Sequence, residues 1–289
     1  MPDELDLPTY LTQNNIKKHT GSHNLLSSWV LCANLYFPFR TEEGRDLLRR
    51  FLAATVGVEI AEVQAIELEF EGEGELKPAV LLRESMGSRG SGQTSPDVAF
   101  IVQTGKGPGI FLVESKYTEH LFYDCSGFKT RETHGRAPNP NRARCLSFSR
   151  VLSAPESECH LVEGWHRRYW EYLRPRVNQV EAVSYFSGCP ASHGAYQLFR
   201  QQALAEGFIS SRKYAFVASV VAYDARNTSL FIIAGRAGPL DLRDVWPRLF
   251  RGAAFKTFTH QSWVYWVRKH DNSRAWSEWS NYIADRYRM

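Results

Sequence analysis

The sequence predicts an α/β protein built on one central mixed sheet flanked by helices. Three observations predict it. Apolar residues recur at helical spacing before Gly57, the pattern switches to strict alternation at Val63, and helical spacing returns after Glu163 ahead of a further apolar strand run. Composition agrees: the 289 residues are 43% hydrophobic and 13% aromatic, more apolar mass than a disordered chain can leave in water.

Taken in order, Ser22 to Phe37 reads as a mostly apolar buried helix stopped by Pro38. Thr41 is the N-cap of an amphipathic helix through Ala54, with Leu47, Leu48, Phe51 and Leu52 on its apolar face, and Gly57 breaks it. From Val63 to Glu71 the period is two: Ile66, Leu68 and Phe70 point one way and Glu67, Glu69 and Glu71 the other, a half-buried strand with an acidic face. A loop rich in Gly and Ser leads to Val98–Val102 and Ile110–Val113, two strands joined by a Gly/Pro turn. Thr118 to Ser157 has weak periodicity and many arginines, and reads as a long basic loop. Helices are predicted over Glu163–Val180 and Ala195–Glu206, strands over Tyr214–Tyr223 and Ser229–Ala234, and a final helical part carries Trp263, Trp266, Trp276 and Trp279 as core residues. The aromatics of Trp165–Arg176 are expected to anchor a helix to the core while its arginines reach solvent.

Lys and Arg total 35 against 31 Asp and Glu, a formal charge of +4. That excludes a histone-like polycation and permits a local basic groove. The opening segment is acidic and interrupted by Pro2 and Pro8, unlike a signal or transit peptide, and no apolar run approaches the roughly 18 residues of a membrane span. Cys32, Cys125, Cys145, Cys159 and Cys189 are widely spaced with no CxxC pair. That spacing argues against a disulfide framework, a zinc knuckle or an iron–sulfur cluster, and for a reducing cytosol. His19 and His23 have helical spacing but no third ligand accompanies them, which argues against zinc. The expectation is a soluble cytoplasmic protein.

The chemistry-bearing stretch runs from Thr94 to His120. Asp97 opens one strand after Pro96, and Glu114 and Lys116, two apart at the end of the next, share a face. Antiparallel pairing through the turn sets Asp97 beside Glu114, so two carboxylates and an ammonium converge at one end of a buried hairpin. Such charges are costly to desolvate unless they pair or bind a metal. Two hard carboxylates suit Mg²⁺, with Mn²⁺ as its substitute, and phosphodiester hydrolysis is the chemistry that wants them. Lys116 would orient or help deprotonate the attacking water, and the Ser115 peptide carbonyl is a further candidate ligand.

Pro96-Asp97 followed by Glu114-Ser115-Lys116 after an apolar strand resembles the PD-(D/E)xK motif of the restriction-endonuclease-like nucleases. TSPD (94–97), ESKYTE (114–119), YQLFR (196–200) and the stretch with Ser27, Ser28 and Asn34 resemble the spaced signatures of a bacterial restriction-endonuclease-like family, over most of the chain. The resemblance implies an αβββαβ core and a Mg²⁺-dependent endonuclease acting on DNA. It implies an upstream acid, for which Glu71 is favoured, with Glu69 close behind and strand parity unable to separate them. It also implies a polar helix residue near the metal, Gln197, accompanied by Tyr196. The chain then reads as a single nuclease domain over residues 1–289 with residues 118–157 inserted as a basic loop, in which Lys129, Arg131, Arg136, Arg142 and Arg144 are the phosphate-contact expectation. The alternatives are a catalytically silent binding or scaffold module of the same fold, or an RNA-directed nuclease. A homodimer is an expected partner state, since cutting both strands commonly needs two active sites.

Overall fold

Thr41 starts the first long helix as its side chain dictates: Oγ1 accepts from the Gly44 N–H at 3.0 Å. Glu42 and Glu43 in the first turn complement the helix dipole, and the helix Glu42–Val56 ends where Gly57 turns left-handed at φ +70. Leu47, Leu48, Phe51 and Leu52 are buried, as their spacing predicts. The computed structural model describes residues 6–17, 24–87, 89–90, 92–133 and 135–289. Within these, the preceding helix is Ser28–Tyr36, capped by Ser27. It is shorter than predicted at its start, because Leu25 and Leu26 are exposed ahead of the cap. Ser22 and the His19/His23 pair lie outside the described residues.

Five strands form the main sheet, in the order β1 (Ile60–Leu68), β2 (Val98–Thr104), β3 (Gly107–Lys116), β4 (Phe216–Tyr223) and β7 (Ala254–Thr259). β1, β2 and β3 pair antiparallel, and β3–β4 and β4–β7 pair parallel, so β3 is central and both kinds of pairing meet on it. The helix Tyr196–Ser210 crosses from β3 to β4. With the helix 42–56 in front, the order is the αβββαβ core. β5 (Ile232–Gly235) and β6 (Gly238–Asp241) form a separate hairpin, so the strand expected from Ser229 does not join the sheet. β7 was hidden in the sequence: its Phe255 and Phe258 are buried but three apart, so no alternation marks it.

The sheet separates two apolar cores. Val98, Phe100, Phe111 and Val113 face the helices 28–36, 42–56, His260–His270 and Arg274–Tyr287. Trp263, Trp276 and Trp279 are buried there, and Trp276 stacks on Phe39 with ring centroids 4.1 Å apart. Ala99, Ile110 and Leu112 face the helix 196–210 and the stretch between β3 and that helix. The described residues of 117–195 form short turns and helices, the longest being Gln179–Tyr185 at 7 residues. The helix expected over Glu163–Val180 is broken by His166 in a left-handed conformation at φ +56 and ends its middle turn, Tyr169–Leu173, before Pro175. Trp165, Tyr169 and Trp170 are buried as anchors, as expected. Among the described residues no helix is long and apolar enough to cross a membrane.

Candidate active site

The β2–β3 register carries Asp97 and Glu114 to the same end of the hairpin, one step beyond the Val98–Val113 pair. Asp97 is fixed by the main chain of the opposite strand, its Oδ2 accepting from the Ser115 N–H at 2.7 Å. Lys116 Nζ lies 3.0 Å from Glu114 Oε1, with the lysine side chain almost fully buried. From across the pocket, Gln197 Nε2 donates to the same Glu114 oxygen at 2.8 Å. Gln197 is aimed there because the first N–H groups of its helix are held by the segment after β3: Tyr196 N bonds Tyr123 O and Gln197 N bonds Phe122 O. One turn on, Gln201 ties the helix to the sheet, donating to Leu112 O, Ser219 Oγ and Val220 O.

Asp97, Glu114, Gln197 and Gln201 line a cavity of about 190 Å³ whose acidic residues are Glu69, Asp97 and Glu114. Of the two candidates for an upstream acid, Glu69 lines this cavity and Glu71 does not. β1 ends at Leu68 and Glu69 is left-handed at φ +48, so parity flips: Leu68 packs in one core and Phe70 in the other. Arg89 clamps the turn, donating to Leu68 O at 2.7 Å and Glu69 O at 3.0 Å. Gly90 is left-handed at φ +76, and a Cβ there would meet the Glu69 carboxylate at 2.9 Å. Glu71 is turned toward Lys77, 3.1 Å away, and accepts from Gln93 at 2.8 Å. A strand argument that assumes unbroken alternation could not see this.

Burial pushes the Asp97 carboxyl well above its ordinary range, and the charges of Glu114 and Glu69 add to that against Lys116 and the Ser115 N–H. Burial works to deprotonate Lys116, but Glu114, Glu119 and Asp97 outweigh it and its ammonium is held more tightly than usual. Glu119 is the last residue of the ESKYTE stretch. Its Oε2 accepts from the Tyr117 and Thr118 N–H groups, and its Oε1 stands 3.9 Å from Lys116 Nζ. The Lys116 carbonyl is held in turn by the Asp224 N–H at 3.1 Å and lies 3.2 Å from His260 Nε2. Burial lowers His260 to about 4, so at neutral pH its ring is uncharged and can donate there.

Arg200 also lines the pocket, through a network sequence reasoning missed. Buried Glu84 accepts from Thr94 Oγ1 at 2.6 Å and Tyr169 Oη at 2.5 Å, and Arg200 Nε donates to Thr94 Oγ1 at 2.9 Å. The signal was the Thr of TSPD, whose hydroxyl is the hub. Arg200 and Gln93 also border a second, larger cavity of about 480 Å³ that Arg136, Trp165 and Arg167 share.

Of the basic residues, Lys129, Arg131 and Arg142 are exposed. Arg136 borders the second cavity and donates to Ser85 Oγ at 2.7 Å. Arg144 is committed internally, 3.2 Å from Glu163 and bonded to Ser157 O. His120 sits beside another cavity with Asp224 and Arg226, at the rim beyond Lys116.

Among the described residues no three His, Cys, Asp or Glu side chains are already gathered around one metal position. Mg²⁺ is commonly held by one or two carboxylates with waters and substrate phosphates completing the shell. The donor set fits: hard oxygens from Asp97 and Glu114, repelling one another, with the buried Gln197 Oε1 lacking a hydrogen-bond partner beside them. No curated protein and no solved structure matches the chain. The family described as Restriction Endonuclease associating with ARP matches residues 3–288. With its αβββαβ core and the acidic pocket at the end of β2 and β3, the chain belongs to that restriction-endonuclease family.

Proposed function

We propose that the protein is a divalent-metal-dependent endonuclease that hydrolyses phosphodiester bonds of DNA. The observation that carries this reading is the convergence of Asp97, Glu114 and Lys116, with Gln197, at one end of a buried hairpin. Asp97 and Glu114 are the metal-binding carboxylates, with the Ser115 carbonyl as a further oxygen and Glu69 as the upstream acid. Mg²⁺ or Mn²⁺ bound there supplies a water of lowered pKa and positive charge for the phosphate. Lys116 orients or helps to deprotonate the attacking water and offsets phosphate charge. Gln197 holds Glu114 in place, and Arg200 presents fixed positive charge to the pocket wall. Arg136, which borders the neighbouring cavity, and the exposed Lys129, Arg131 and Arg142 supply phosphate contacts, while Arg144 holds the fold of the segment.

The family description names association with ARP, and we take such a partner, or a second copy of this chain, to complete the system in which the nuclease works. The test is incubation with supercoiled plasmid, with and without Mg²⁺ or Mn²⁺, beside Lys116→Ala. Metal-dependent nicking or linearisation lost in the variant is the expected result. Cleavage that is unchanged in Lys116→Ala refutes the site. Absence of both cleavage and metal binding in the wild-type protein favours a silent scaffold of the same fold.

A further inference from the structure

Four of the five cysteines, unrelated by spacing in the chain, surround one small cavity. Cys125, Cys145, Cys159 and Cys189 are reduced and buried, and all four line a space of about 20 Å³ in the core beneath residues 117–195. Cys32 lies in the other core. Residues widely spaced in the chain are thus brought to one space by the fold.

Each of Cys125, Cys159 and Cys189 has extended ψ (127°, 113° and 121°) just before a short helical turn, so three of the four side chains are presented from the same kind of turn. Four thiols drawn from four separate segments onto one space are more than small apolar filling requires.

We propose that Cys125, Cys145, Cys159 and Cys189 hold a soft metal as thiolates, in a structural centre that staples four segments of residues 117–195 together against the helix carrying Gln197. Phe199 of that helix forms part of the cavity wall, and Cys189 N bonds Cys145 O, so the four segments already meet. The region has the need for it: its helices are at most 7 residues long, and cross-links stabilise such lightly structured stretches most. Among the described residues no three ligands yet converge on one ion. The sulfurs stand around a void, which side-chain rotation closes onto Zn²⁺ or an iron–sulfur core spans. In either case four S–H bonds give way to four S–metal bonds, and four protons leave to solvent.

The test is metal analysis of the full-length wild-type protein, purified without air or chelator, with acid-labile sulfide measured alongside. About one zinc per chain, or about four iron with four sulfide, sustains the centre and tells which it is. Cys125→Ser and Cys189→Ser should each lower metal content about tenfold or more, while Cys32→Ser leaves it unchanged. Wild-type protein that carries neither metal and takes up neither added Zn²⁺ nor iron overturns the proposal. The wild-type measurement stands even where a variant does not fold, and it is independent of DNA cleavage.

Discussion

The sheet around β3 and the stretch of residues 117–195 are held together by different means. In the first, long elements satisfy their own backbone, and stability comes from apolar faces such as Phe100 and Phe111 pressed between helices. In the second, short turns depend on side chains for closure: Asn139 Nδ2 donates to Gly127 O, Trp165 Nε1 to Ala137 O, and Arg167 to Arg83 O. The site sits where they meet. Its acids come from the ends of the strands, and the segment lines the neighbouring larger cavity, which shares Gln93 and Arg200 with it.

The division predicts a graded set of effects. The largest belongs to the sheet: Asp97→Asn should cut cleavage on the order of 10³-fold or more. It should also leave thermal stability equal or higher, because it relieves a buried like-charge cluster; a clear fall in melting temperature would show that Asp97 serves the fold instead. Next, Trp263→Ala should cost about 3–5 kcal/mol in denaturant unfolding, as expected for a fully buried aromatic. Glu84→Gln tests the seam, since Glu84 joins Tyr169 of that segment to Thr94 and Arg200 of the site. It should cost about 3 kcal/mol, and limited proteolysis should then cut residues 117–195 before the sheet. Uniform cutting would mean that the two regions unfold as one.

Smaller effects sharpen the boundary within the site. Glu69→Gln should lower cleavage about 10- to 100-fold, while Glu71→Gln changes it less than about twofold; the reverse order would return the upstream acid to Glu71. Smallest of all, Lys129→Ala or Arg131→Ala should reduce the slope of log binding constant against log salt by about 1 each, without touching the rate of the bound complex.

What could be read from the sequence follows the same line. Thr41 and Gly57 announced their helix because a cap and a left-handed stop are local events. The Asp97–Glu114 pairing was legible because β2 and β3 run to their turn in unbroken register. Glu69 was not, because one left-handed residue, clamped by Arg89 from twenty positions away, reverses the face of everything after it. β7 and the meeting of four cysteines were out of reach for a related reason: both are set by packing between distant segments, with no period to betray them.

The chain leaves β3 at Lys116 and returns at Tyr196, on either side of the pocket. Residues 117–195 stand between those two points and line the neighbouring cavity, while β1, β2, β4 and the helix 42–56 lie elsewhere in the sequence. The middle of that stretch is therefore where the chain can change in length with the strands left in register. Its two ends cannot, because Glu119 stands against Lys116 and the Phe122 and Tyr123 carbonyls hold the helix of Gln197.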